Sequence, residues 1–160
     1  CIFEDNLFKM QQKRTIDQVL RATWQAIAKM YNEEALKSDS TMATGFALLS
    51  IDPNEGTPST ALGPKMGMEA TSLSRILNSM EEKGLIARKP HPNDRRSVLI
   101  HLTDFGLEKR AVSREFVLQF NNRVREEIDK EALDQFYSVI DTIQNLVNNK
   151  QIFSNTLKNN

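Results

Sequence analysis

Apolar residues recur at three- and four-residue steps along most of the chain, the spacing of helices with one buried face. Ile16, Val19, Leu20, Thr23, Trp24, Ile27, Met30 and Tyr31 make such a stripe, and lysine and glutamine fill the opposite face, which predicts a helix over residues 10–37. Ser38-Asp39-Ser40 interrupts it and offers a cap for a short apolar helix over 41–51, carrying Met42, Phe46, Leu48 and Leu49. Asp52-Pro53-Asn54-Glu55-Gly56 reads as a turn. A short helix over 58–66 follows, with Pro58 suited to its first turn. Pro64 lacks the N–H that would bond back to Thr60, so this helix is expected to be kinked or shortened before Gly67 ends it.

Residues 69–83 form a better helix, with Leu73, Ile76, Leu77 and Met80 as its buried stripe and Gly84 where a left-handed C-cap belongs. The period then changes. Leu85–Arg88 and Val98–Leu102 read as two strands, joined by a polar, proline-bearing tip over residues 89–96. Thr103 caps a helix running to about Glu127, on which Val112, Phe116, Phe120, Val124 and Ile128 recur every four residues. Asp129 or Lys130 opens a last helix with Leu133, Phe136, Tyr137, Ile140, Ile143 and Val147, and the Asn- and Lys-rich tail after Asn148 is expected to be loose. The expected fold is mainly α, six helices with a small β-hairpin, in a single domain over 1–160.

Composition changes this picture little: 39% hydrophobic and 26% charged residues are ordinary for a globular chain of 160 residues. No run approaches the roughly 18 apolar residues of a membrane span, and no basic stretch followed by an apolar block opens the chain. One cysteine, Cys1, excludes an intramolecular disulfide. A cytoplasmic protein without membrane contact is expected.

Charge is more telling in its distribution than in its sum. The formal net charge is zero, but between Lys65 and Arg96 seven basic residues (Lys65, Arg75, Lys83, Arg88, Lys89, Arg95, Arg96) face four acidic ones (Glu69, Glu81, Glu82, Asp94), a net +3 balanced elsewhere. Within that window two helices meet at Gly67-Met68, which is the arrangement of a helix-turn-helix. The second helix carries Glu69, Thr71, Ser72, Ser74, Arg75 and Asn78 opposite its apolar stripe. Short hydrogen-bonding side chains and an arginine on one helix end suit base edges and phosphates in a major groove. The hairpin forms a wing whose Arg95 and Arg96 can reach a minor groove, with Asp94 placed to hold Arg96 extended. Thr71, Ser72, Ser74, Arg75, Asn78, Asp94, Arg95 and Arg96 are therefore the candidate contacts to double-stranded DNA. For Arg95 and Arg96 the alternative is a solvated turn, and for Arg75 an ion pair with Glu69 or Glu82.

Met80-Glu81-Glu82-Lys83-Gly84-Leu85-Ile86, then Asp94-Arg95-Arg96, then Leu102-Thr103-Asp104-Phe105-Gly106 resemble the signature of the MarR family: a recognition helix ending in E-x-K-G-L, a D-x-R wing, and L-T-x-x-G opening the next helix. The resemblance runs from the long first helix through the last, and Gly63-Pro64 in the support helix departs from it. It implies an intertwined homodimer, with dimerisation helices at 1–37 and 105–150 around a winged helix-turn-helix lobe at 41–103. It also implies a palindromic operator, commonly released on binding a small effector, with Arg96 as the minor-groove arginine.

The apolar ends point to a second copy as well. Phe3, Leu7 and Phe8 before the first helix and the one-faced last helix exceed what one small lobe can cover. A two-fold dimer would place two recognition helices about 34–36 Å apart, facing a pseudo-palindrome. Trp24, Met30, Tyr31, Met42 and Phe46 are candidates for an effector pocket, with plain core packing as the alternative. His91 and His101 are too few for a metal sensor, and no cofactor is expected. Cys1 has no resolving partner for a thiol switch. No nucleophile–base pair or Gly-rich phosphate loop suggests an enzyme. A winged-helix module that binds protein and has lost DNA binding is the remaining alternative to a DNA-binding regulator.

Overall fold

A computed structural model describes residues 14–153, with the side chains of Arg95 and Arg96 outside the description. Cys1, Phe3, Leu7, Phe8 and the last residues of the tail, 154–160, lie outside the described residues. Six helices and three strands follow in the order α1 (Ile16–Leu36), α2 (Met42–Ser50), β1 (Thr57–Pro58), α3 (Ser59–Met66), α4 (Ala70–Glu82), β2 (Ile86–His91), β3 (Asp94–Leu102), α5 (Asp104–Glu127) and α6 (Lys130–Asn148) among the described residues. The chain divides into two compact units, one up to Phe116 and one from Val117 onward.

The core of the first unit is small and lies under the centre of the sequence. Ala47, Leu48 and Ile51 from α2 and the residue after it, Leu62 from α3, Leu73, Leu77 and Met80 from α4, and Leu85, Ile86 and Ile100 at the sheet pack together. Burying a leucine or isoleucine of this kind stabilises a fold by about 1.5–3 kcal/mol before entropy is counted. The stripe on α1 is not part of that core. Ile16, Val19, Leu20 and Trp24 are exposed, and Ala35 is the one buried residue of that helix. In the second unit, α6 has no buried residue at all, although Phe136, Tyr137, Val139 and Val147 lie along it.

Several expected boundaries move. Thr15 is extended and caps α1, so Arg14 and Thr15 are not helical. The cap of α2 is Thr41 rather than Ser38-Asp39-Ser40: its hydroxyl accepts the Thr44 N–H at 3.1 Å. Glu69 is the cap position of α4 rather than its first residue. α3 runs through Pro64 to Met66, so Pro64 does not shorten it. Its end closes where Gly67, at φ 61°, lets the Met68 N–H reach the Gly63 carbonyl at 3.0 Å.

The wing differs most from the sequence expectation. Residues 89–91 and 94–96, expected in a polar tip, are in the strands, and Pro92-Asn93 alone forms the turn. Pro90 is tolerated because the sheet order is β1-β3-β2, which makes β2 an edge strand, and the register shifts between Pro90 and His91. The third strand was not foreseen. Thr57 and Pro58 pair with Ile100 and Leu99 on the other side of β3. A local network holds this segment. The Asp52 N–H donates to the buried Thr57 hydroxyl at 2.8 Å, and the Asp52 carboxylate accepts the N–H groups of Asn54 and Glu55, each at 2.8 Å. Those two bonds, Glu55 first, hold the Asp52 carboxyl below the usual aspartate range. Gly56 has φ 76°, and a Cβ there would fall 2.8 Å from the His101 ring.

Candidate nucleic-acid interface

α3, the Gly67-Met68-Glu69 turn and α4 form the helix-turn-helix, and α4 presents two chemically distinct faces. Leu73, Leu77 and Met80 are buried, while Thr71, Ser72, Ser74, Arg75 and Asn78 are all exposed. The helical period separates the two sets, because residues three or four apart share a face. Thr71, Ser72 and Arg75 make no side-chain hydrogen bond or ion pair among the described residues, so neither Glu69 nor Glu82 pairs with Arg75. Ser74 donates its hydroxyl to the Ala70 carbonyl at 2.9 Å, which leaves its oxygen free to accept. Asn78 is engaged from the wing: the Arg88 Nη2 donates to its Oδ1 at 2.7 Å.

Arg88 is the residue sequence reasoning missed here. It lies on β2 opposite Ile100, and its Nη1 also pairs with the Glu81 carboxylate on α4. The pair spans seven residues across a helix end and a strand start, a relation that neither helical nor strand periodicity announces. At the wing, Asp94 is exposed and faces His91 across the strands, with Arg95 and Arg96 next along the β3 backbone. The Asn93 N–H donates to His91 Nδ1 at 3.2 Å, and His101 packs against Gly56, so the two histidines have separate local partners. No group of three His, Cys, Asp or Glu is placed to hold a metal ion among the described residues.

A joint fixes the helix-turn-helix to the helix that follows it. Gly84, at φ 70°, ends α4 with its N–H on the Glu81 carbonyl and the Leu85 N–H on Met80, each at 2.9 Å. The Thr103 hydroxyl donates to the Gly84 carbonyl at 2.6 Å and accepts the Gly106 N–H at 3.0 Å. The Thr103 N–H donates to the Leu85 carbonyl at 3.1 Å. Thus Lys83-Gly84-Leu85 and Leu102-Thr103-x-x-Gly106, two separate motifs in sequence, are one structural corner.

Of the five effector-pocket candidates, three form an aromatic cluster. Phe46 stacks on Trp24 with ring centroids 6.2 Å apart and meets Tyr31 edge-on at 6.0 Å. Burial pushes the Tyr31 phenol above its usual range. Met30 and Met42 are half-buried. A cleft of about 260 Å³ lies elsewhere, lined by Ser38, Asp39, Ser40, Lys83, Leu85, Phe105 and Lys109.

Comparison with known proteins places these features in context. The MarR family model matches residues 41–98, which is the helix-turn-helix and most of the wing. The organic hydroperoxide resistance transcriptional regulator of Bacillus subtilis (strain 168) is 27% identical over 142 residues, covering 88% of this chain and 97% of that protein. A transcriptional regulatory protein for the hcr operon of Thauera aromatica is 38% identical over 61 residues, 38% of this chain, and the chain spans 37% of that relative's length. Among solved structures, a complex of S. aureus MepR with DNA has the same fold at a TM-score of 0.76 and 17% identity, over 83% of this chain and 98% of that one.

Proposed function

We propose that the chain is a winged-helix regulator of the MarR family, and that it controls transcription as a homodimer that reads a pseudo-palindromic operator in double-stranded DNA. The observation that carries this reading is the exposed polar face of α4, with Thr71, Ser72, Ser74, Arg75 and Asn78 on one side of a helix whose other side is core. The N-terminal half of α4 enters the major groove. The wing brings Asp94, Arg95 and Arg96 to the flanking minor groove, where a narrow A·T-rich width attracts guanidinium groups. The fold shared with MepR, which its structure holds on DNA, supports that placement.

The segments 1–37 and 105–150, whose described helices are α1, α5 and α6, would hold the second copy. Trp24 in the first unit, and Phe136, Tyr137 and Val147 in the second, are exposed apolar side chains for a partner to cover. Repression follows where the operator overlaps a promoter. A small effector, seated among Trp24, Met30, Tyr31, Met42 and Phe46, would release the DNA by favouring a different spacing of the two lobes. The relatives are transcriptional regulators, so we read the chain as a binding protein of the cytoplasm rather than an enzyme.

The test is an anisotropy titration of the protein against duplexes selected from a random pool. Arg75→Ala and Arg96→Ala each lower affinity by about tenfold or more, and each reduces the salt dependence by about one counterion. Arg96→Ala also flattens the preference for A·T at the flanks. Affinities unchanged in both variants would instead favour a winged-helix module that contacts protein.

A further inference from the structure

Arg88 reaches from the edge strand of the wing back to the recognition helix, and its two terminal nitrogens take different acceptors there. Nη1 pairs with the Glu81 carboxylate and Nη2 donates to Asn78 Oδ1 at 2.7 Å. A guanidinium has donors only, so the Asn78 atom facing it is the oxygen. The partner fixes which way the amide points. Asn78 is nevertheless exposed, three residues beyond Arg75 and four beyond Ser74 on the outer face of α4.

We infer that Arg88 is a positioning residue for base reading: it ties the Asn78 oxygen to the protein and leaves the amide N–H groups as the part of Asn78 offered to DNA. An asparagine that reads adenine uses both atoms, the oxygen accepting from the adenine amino group and the nitrogen donating to N7. The oxygen keeps a second lone pair, but the guanidinium charge beside it disfavours a second positively polarised donor there. Asn78 then donates to an acceptor, a phosphate or a base-edge oxygen or nitrogen, and does not require adenine. Glu81 holds the guanidinium in place. The Arg88–Glu81 pair is 32% and 41% exposed on its two sides, so it adds little to stability and its consequence is geometric. This inference rests on the proposed reading of α4 as the DNA-reading helix.

The experiment uses the full chain and duplexes selected by the wild type. Asn78→Asp keeps an oxygen for Arg88 but turns the outward donor into an acceptor. It is expected to weaken binding by about tenfold or more, and by more than Asn78→Ala does. Arg88→Met frees the amide, and renewed selection with this variant gives a new preference for adenine at one position in each half-site. That preference disappears in the double variant Arg88→Met/Asn78→Ala, an outcome that general loosening of the wing would not produce. Glu81→Gln, which keeps the shape of the pair, shifts the preference the same way but less, and stands in for Arg88→Met should that variant not fold. Asn78→Asp binding as tightly as the wild type, or unchanged base preferences in both Arg88→Met and Glu81→Gln, overturns the inference while leaving the DNA-binding reading intact. A wild type that selects no sequence at all overturns the functional reading and the inference with it.

Discussion

Gly106→Ala lowers the melting temperature by about 10 °C, corresponding to a loss of about 3 kcal/mol. The reason is a close approach between α5 and the corner that ends α4. A Cβ on Gly106 would overlap the Leu85 carbonyl oxygen. That oxygen cannot turn aside freely, because it accepts the Thr103 N–H at 3.1 Å, and Leu85 itself is buried in the core. Either the first turn of α5 moves away and breaks the Thr103 hydroxyl bonds to Gly84 and Gly106, or the strand start shifts and disturbs Ile86. Gly45→Ala is the matched control. Its Cβ would meet the Ser113 hydroxyl at 3.2 Å, a side chain that can rotate, so its melting temperature stays within about 3 °C of the wild type. Thermal unfolding followed by circular dichroism reads both. A Gly106→Ala protein melting with the wild type would show that the corner is not tight.

Phe136→Glu combined with Ile140→Glu converts the protein from dimer to monomer and lowers affinity for a full palindrome by about a hundredfold or more. α6 is amphipathic in sequence yet buries nothing in a single chain, and Phe136 is 52% exposed with its ring against Tyr137 at 5.7 Å. An apolar stripe of this kind left in water is unfavourable by roughly 25 cal/mol per Å², so a second copy is its natural cover. Two carboxylates on that stripe would have to be desolvated in a dimer, at a cost of several kcal/mol. A monomer must engage each half-site independently and loses the effective concentration that the linked second site provides. Sedimentation equilibrium reads the mass, and anisotropy on the palindrome and on an isolated half-site reads the coupling. A variant that remains dimeric and binds as before would place the interface elsewhere.

Periodicity made the six helices legible, since each described one has the expected face or stop signals close to its observed ends. Gly84 was readable as a left-handed cap, because an apolar stripe ended just before it, and Gly67 as the end of its helix. Thr103 was readable as a cap from its place before Asp104. What stayed hidden depended on contacts between segments distant in sequence. β1 is two residues long, too short to leave a pattern, and exists because Thr57 and Pro58 lie against β3. The wing strands extend through Lys89, Pro90 and His91 because pairing with β3 overrides the polar, proline-bearing composition that suggested a loop. Burial could not be read helix by helix either. The stripe on α4 is core, whereas the equally clear stripe on α1 is exposed from Ile16 to Trp24 and only half-buried at Ile27, Met30 and Tyr31, and nothing in the spacing distinguishes them.

The candidate interface was legible to the same extent and for the same reason. A 3.6-residue period is enough to separate Leu73, Leu77 and Met80 from Thr71, Ser74, Arg75 and Asn78. It does not reveal that Ser74 is back-bonded to Ala70 or that Asn78 is held by Arg88. Those bonds change what each side chain offers, from either role to acceptor for Ser74 and to donor for Asn78. The exposed polar face of α4 can thus be drawn from sequence, whereas the hydrogen-bonding sense of its side chains cannot.

Two copies of α4 that read one duplex together require a fixed half-site spacing, and altering that spacing tests the dimer most directly. Once selection has yielded the operator, five base pairs are inserted between its halves, and then ten. The inserts turn one half-site by about half a helical turn and then a full turn relative to the other. The account predicts that the wild type binds the original spacing best and falls to half-site affinity with the five-base-pair insert. The ten-base-pair insert, which restores the face but lengthens the span by about one turn, leaves binding well below the original spacing. Equal affinity for all three duplexes would contradict a dimer with two recognition helices held at a fixed separation.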